Sequence, residues 1–216
     1  KFPFICPKLI NLIKPFLPKE KMPIEFDLEQ IRAQHRIVNY FETGLYDPRC
    51  NVSLRKAIHC DFRKLYSVEL RKDWVELGKQ AFARDLSIHR LCLLQMDSND
   101  IAEVLEGNPD FQQRTLFFFD AHVDNSQIQG HRNLCPLLHE LQALKCLPRK
   151  DHIICIDDVR ILKNMYPWGE QSYGKIDFLS EIRKSLTELN PSYSFSFLPG
   201  YCENDVMIAI PTEEKK

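Results

Sequence analysis

Apolar residues in this chain gather in short unbroken runs rather than alternating with polar ones. Residues 37–41, 64–70, 91–95, 114–122 and 152–159 each carry such a run. Continuous apolar runs of this length fit strands of a parallel sheet that is covered on both faces. The segments between them carry helical spacing. Residues 28–36 are amphipathic, and a helix starts near Ser53, with Ser53 as its N-cap and Leu54, Ala57 and Ile58 on one face. A helix over 72–83 collects Trp74, Val75, Gly78 and Phe82, and a short one over 99–106 stops at Asn108-Pro109. Pro136 opens a helix with Leu137, Leu138, Leu141 and Leu144 on its apolar face. Residues 176–189 place Leu179, Ile182, Leu186 and Leu189 in register, and two strands, 193–198 and 206–210, close the chain around a turn at Gly200.

Strand and helix alternate five times, which implies parallel pairing through right-handed crossovers. The last two strands lie too close in sequence for a crossover and must form an antiparallel hairpin. The expected fold is therefore α/β: a Rossmann-like three-layer sandwich around a seven-stranded, mostly parallel sheet with a C-terminal antiparallel hairpin. Residues 28–216 form a single domain in this reading, preceded by an N-terminal arm, 1–27. The apolar stretch 2–17 is interrupted by Pro3, Pro7 and Pro15 and charged by Lys8 and Lys14, so it is too broken for a membrane span. No small-residue cleavage site follows it. The chain opens on Lys1 rather than methionine, so residues upstream are expected.

Composition narrows the partners. A net charge of −1 over 216 residues gives no electrostatic case for nucleic acid or an anionic membrane surface. Hydrophobic content of 44% and charged content of 27% are those of an ordinary globular domain. Eight cysteines without a CxxC pair, several inside apolar runs, read as reduced thiols of a cytoplasmic protein.

The candidate chemistry lies where the runs end. Glu42, Glu69, Asp97, Asp120, Asp157 and Asp158 each follow an apolar run. In open α/β sheets the carboxyl ends of the strands form the ligand rim. For Asp120, Asp157 and Asp158 the alternative is to cap the following helices or to pair with Arg114, Arg132 or Arg160, and for Asp97 and Ser98 it is a helix N-cap.

The order and spacing of these motifs over about residues 37–212 resemble the class I S-adenosylmethionine (SAM) dependent methyltransferases. Glu42-Thr43-Gly44 stands where that family carries an acidic-x-Gly-x-Gly-x-Gly loop, with Tyr46 and Pro48 at the second and third glycine positions. The resemblance implies that Glu42, Gly44, Tyr46 and Glu69 line the cofactor, with Glu69 on the ribose hydroxyls and Asp97-Ser98 at the adenine edge. An Asp after the fourth strand and an Asp-Asp pair after the fifth are similar to the magnesium-dependent O-methyltransferases of the catechol and macrocin types. By that likeness Asp120, Asp157 and Asp158 would hold Mg2+, and Asp120 and His122 would be catalytic. A hard cation with oxygen ligands would lower the pKa of an acceptor hydroxyl. The implied acceptor is a small molecule or sugar; self-association is left open.

Two other readings compete. A methyltransferase-fold protein that has lost its cofactor loop would serve as a binding module. A sugar-nucleotide transferase would use Asp120-Ala121-His122 as its metal motif. His122, His131 and His139 lack the compact spacing of a zinc set. Tyr166, Trp168 and Tyr173 sit in a segment suited either to a lid or to packing on the core.

Overall fold

The computed structural model of the protein describes residues 24–121, 135–163 and 173–212. Along the chain these form α1 (Leu28–Gln34), β1 (Asn39–Thr43), α2 (Ser53–His59), β2 (Lys64–Glu69), α3 (Lys72–Ala81), α4 (Ala83–Ser87) and β3 (Leu91–Gln95). There follow α5 (Ala102–Leu105), β4 (Thr115–Phe119), α6 (Leu137–Ala143), β5 (Ile153–Ile156), α7 (Val159–Leu162), α8 (Phe178–Leu189), β6 (Tyr193–Leu198) and β7 (Val206–Pro211). The sheet order is β3-β2-β1-β4-β5-β7-β6. β1 to β5 pair in parallel, and β7 runs antiparallel to both β5 and β6. The expected α/β architecture, a mostly parallel seven-stranded sheet with a terminal hairpin, is the one found.

The unbroken apolar runs have their reason in the layers. Every residue of β1, β4 and β5 is buried. Phe41, Phe117 and Phe119 face a core completed by Leu105, Leu137, Leu141, Phe178 and Ile182. Their neighbours Tyr40, Leu116 and Phe118 face the opposite core with Leu28, Leu54, Ala57 and Phe82. A strand sandwiched in this way has no polar face to show, whereas β6, at the sheet edge, alternates.

Local differences from the sequence reading have local causes. The first strand starts at Asn39 and carries Glu42 and Thr43 within it, paired to β2 and β4. The helix expected over 72–83 breaks at Phe82, whose ring is drawn into the core, and resumes as α4. The helix over 99–106 is a 3-10 turn, Ser98–Asp100, followed by α5. Ser53 is the first residue of α2 and not its cap. The carboxamide of Asn51 does the capping, accepting from the Leu54 N–H at 2.9 Å while its amino group donates to the Leu45 carbonyl at 2.6 Å. Of the expected arm, residues 1–23 lie outside the described residues, and Ile24 is fully buried. Among the described residues no helix is long and apolar enough to cross a membrane, and the seven cysteines described are free. Burial raises the thiols of Cys60, to about 11, and of Cys92, Cys146 and Cys155.

Two titratable groups are buried in the sheet at opposite ends. Glu42 has no exposure and accepts from Ser67 Oγ at 2.7 Å and Tyr40 OH at 2.9 Å. Burial pushes its carboxyl up to about 7, against those hydrogen bonds and one from Ser53. His152, 1% exposed at the amino end of β5, accepts the Thr115 N–H on Nδ1 at 3.1 Å and meets Phe117 edge-on. Burial lowers its imidazole to about 4.

These shifts give opposite pH dependences. The contribution of His152 is present above its unfolded value of 6.5 and lost as pH falls through about 4. That of Glu42 is present below 4.5 and lost as pH rises through about 7. Each shift corresponds to roughly 3 kcal/mol. Urea titrations should therefore show Glu42→Gln gaining on the parent protein as pH rises from acid to neutral. His152→Asn should lose its deficit on acidification. Profiles parallel to the parent's would contradict both assignments.

Candidate functional site

The sheet order turns back on itself between β1 and β4. From β1 the chain builds outward through β2 and β3, then returns to add β4 and β5 on the other side. Ligands of open α/β sheets bind in the crevice outside such a switch point. Here the carboxyl rim carries, in spatial order, Glu69 at the end of β2, Gly44 after β1, Asp120 after β4, and Asp157 with Asp158 after β5. The sequence-predicted acids are thus brought to one edge.

Gly44 sits at the centre of that edge. Its N–H donates to the Val68 carbonyl at 2.9 Å, and its φ of +86° is a backbone state that favours glycine. A Cβ here would lie 2.2 Å from the Asp120 carbonyl oxygen and 3.1 Å from Ala121 Cα. The loop after β1 therefore passes directly against the end of β4, and only glycine permits it.

Tyr46, at the second glycine position, adopts φ +58°. The left-handed backbone that a glycine would take is kept by a non-glycine residue, at a conformational cost on the order of 1–2 kcal/mol. That conformation lets the Tyr46 N–H donate to Glu69 Oε2 at 2.9 Å. The Tyr46 ring is 60% exposed and leans edge-on against Trp74 at 4.7 Å, while the Arg71 guanidinium lies 3.9 Å from the Trp74 ring centre. Pro48, at the third glycine position, is turned toward α3: its Cγ lies 3.6 Å from where a Cβ on Gly78 would be. Both substituted side chains thus pack toward α3.

Glu69 is 5% exposed. Oε1 accepts the Arg71 N–H at 2.7 Å, so two backbone donors fix the carboxylate. Burial raises its pKa, opposed by those backbone bonds. A carboxylate has about four acceptor positions, so acceptor capacity remains beyond its backbone bonds, to which the Leu70 N–H also contributes. Glu42, the other expected cofactor acid, lies beneath the loop among Tyr40, Ser53 and Ser67 and is closed to solvent. Asp97 caps the 3-10 turn, accepting from the Asn99 N–H at 2.9 Å and its Nδ2 at 2.7 Å, and Ser98 is buried behind it.

The β4–β5 end of the rim is more crowded with charge than the sequence implies. Burial raises the Asp120 carboxyl well above the usual range, helped by the charges of Asp157, Asp158 and Glu42 and opposed by Arg160. Asp157, 1% exposed, accepts the Asp158 N–H at 2.8 Å, and Asp158 turns left-handed at φ +58°. A further acid, Asp205, joins them: Asp157, Asp158 and Asp205 each bring a carboxylate oxygen within 4.8 Å of the other two. Asp205 is fully buried, accepts the Arg160 N–H at 3.0 Å, and pairs with the Arg160 guanidinium, which also pairs with Asp158.

Sequence reasoning missed Asp205 because it precedes a strand instead of ending one. The signal was present: β7 runs antiparallel to β5, so its start lies beside the end of β5. His122 and His131, with Tyr166 and Trp168, lie outside the described residues. His139 is exposed. Tyr173 folds back on the core, its OH donating to the Cys135 carbonyl at 2.5 Å and its ring 5.5 Å from Phe178.

The sequence matches no known family model and no curated protein. Solved structures do resemble the fold. The O-methyltransferase TomG of Streptomyces achromogenes, solved with SAM, is 14% identical with a TM-score of 0.56, over 99% of this chain and 92% of that one. The Podospora anserina methyltransferase PaMTH1, solved with S-adenosylhomocysteine (SAH), is 13% identical with a TM-score of 0.51, over 99% of both chains. The Klebsiella pneumoniae protein described as an O-methyltransferase is 16% identical with a TM-score of 0.56, over 94% of this chain and 95% of that one. The chain thus has the fold of the class I SAM-dependent methyltransferases.

Proposed function

We propose that this protein is a SAM-dependent methyltransferase that methylates an oxygen of a small molecule or sugar. One observation carries the reading. The loop after β1 keeps its glycine-type backbone through Gly44 and Tyr46, and its Tyr46 N–H orients the Glu69 carboxylate at the switch point. Without glycines at positions 46 and 48 such a loop would be expected to close the cofactor crevice. Instead the Tyr46 and Pro48 side chains pack toward α3.

The residues fit the cofactor. Glu69, held by two backbone N–H groups, has acceptor capacity left for a vicinal diol. Gly44 lets the loop after β1 close against the end of β4, which a side chain would block, and so sets the position of Tyr46 beside Glu69. Bound SAM would supply an electrophilic methyl group on a sulfonium. The chain's own part is positioning and charge balance: Gly44 and Glu69 hold the donor, and the rim from Asp120 to Asp158 orients an acceptor hydroxyl for in-line attack. Asp120 stands between the two halves, with its backbone against Gly44 and its carboxyl toward the acid cluster.

A magnesium-assisted version of this reading uses Asp120, Asp157 and Asp158 as hard oxygen donors, a ligand type that suits Mg2+. Those donors share their rim with the Arg160 guanidinium, already paired with Asp158. The rival reading, a cofactor-free binding module, draws its support from Tyr46 and Pro48 standing where glycines are expected.

Calorimetry with SAM and SAH separates the two. Saturable 1:1 binding is expected, and Glu69→Gln should weaken it at least about tenfold, the scale of a hydrogen bond to a charged group. No heat at millimolar cofactor, with or without magnesium, would leave the binding-module reading standing. Gly44→Ala should abolish cofactor binding and lower stability by roughly 1–3 kcal/mol, since it adds both a clash and a strained φ. A variant with parental affinity and melting temperature would contradict the role given to the loop.

A further inference from the structure

We propose that Arg160 is the resident cation of the Asp157, Asp158 and Asp205 cluster, and that it keeps a divalent ion out of a site that shares Asp157 and Asp158 with the magnesium-assisted reading. The inference rests on the methyltransferase reading only for the name of the site; the geometry stands without it.

The acid rim gathers four carboxylates, from Asp120, Asp157, Asp158 and Asp205, and the guanidinium of Arg160 enters it on the side of Asp158 and Asp205. Arg160 is anchored from both backbone and side chain. Its N–H donates to Asp205 Oδ1 at 3.0 Å, and Nη1 meets both Asp158 Oδ1 and Asp205 Oδ2. The preceding Val159 N–H donates to the Asp205 carbonyl at 2.8 Å, which pins the start of α7 to the start of β7. Tyr201, in the turn between β6 and β7, covers the guanidinium, its ring centre 4.6 Å from Cζ. A planar cation held between two carboxylates and stacked on an aromatic ring is the setting in which arginine is preferred to lysine.

Asp205 makes this cation hard to displace. It is fully buried, and a buried carboxylate that loses its partner is strongly unfavourable. A divalent ion bound by Asp157, Asp158 and Asp205 would have to push the guanidinium off two of its own three ligands. It would also bring two more positive charges beside the one it displaced. The oxygens are close enough to chelate, within 4.8 Å of one another, yet in the native chain two of the three carboxylates already serve Arg160. Removing the Arg160 side chain while leaving its backbone N–H in place therefore converts the cluster into a site for a hard divalent ion.

The experiment uses the full chain without SAM, so its outcome is independent of cofactor binding. Binding of Mn2+, followed by loss of its free-ion EPR signal, and thermal shift with Mg2+ would be measured on the parent, Arg160→Met and Arg160→Lys. The parent is expected to show no stoichiometric Mn2+ at millimolar concentration and no Mg2+-dependent melting shift. Arg160→Met should melt lower in the absence of metal, recover with Mg2+, and bind one Mn2+ at least about tenfold more tightly than the parent, a difference of about 1.4 kcal/mol. Arg160→Lys, which keeps the charge but loses the planar group stacked on Tyr201, should melt below the parent and still gain no ion. One Mn2+ bound by the parent and lost in Asp157→Asn would overturn the proposal, as would an Arg160→Met that melts like the parent and gains no ion. If Arg160→Met does not fold, the parent and Asp157→Asn measurements decide the matter by themselves.

Discussion

The contact between Gly44 and the end of β4 is the constraint on which the rest of the rim depends. With no side chain at Gly44, the loop after β1 rests on the Asp120 carbonyl, at a distance no Cβ would tolerate. That contact brings the loop across the switch point between β1 and β4, so that the acids ending β2, β4 and β5 lie along one rim. From there Tyr46 reaches Glu69 on one side, and Asp120 faces the acids of β5 on the other.

The two halves solve the problem of buried charge differently. Glu42 and Glu69 are neutralised by dispersion: their carboxyls are shared among hydroxyls or backbone N–H groups, and burial still raises both. The acids of β5 and β7 instead receive a full positive charge from Arg160. Such a pairing is weak evidence of stability, because desolvation offsets much of the attraction. It does fix geometry, since the guanidinium ties the start of α7 to the hairpin that closes the sheet.

Much of this was legible in the sequence, for a physical reason. Strands buried on both faces are largely apolar, so β4 and β5 announced themselves and their terminal acids marked the rim, whereas β1 buries Asn39, Glu42 and Thr43 among its apolar residues. The hairpin followed from the short link between β6 and β7. Less legible were features set by tertiary contact. Pro48 and Tyr46 read as damage to a glycine loop, because nothing in the sequence says that α3 would take their side chains. The capping role fell to Asn51 instead of Ser53, because Ser53 is spent on the buried Glu42 cluster. Asp205 needed the step from hairpin to antiparallel register before its position beside Asp158 could be seen.

The most direct test of the account is a crystal structure of the protein grown with SAH. The account predicts the ribose hydroxyls on Glu69, the chain of the cofactor running past Gly44, and the Tyr46 ring still against Trp74. A crevice left closed at saturating SAH, or a cofactor seated away from Glu69, would contradict it.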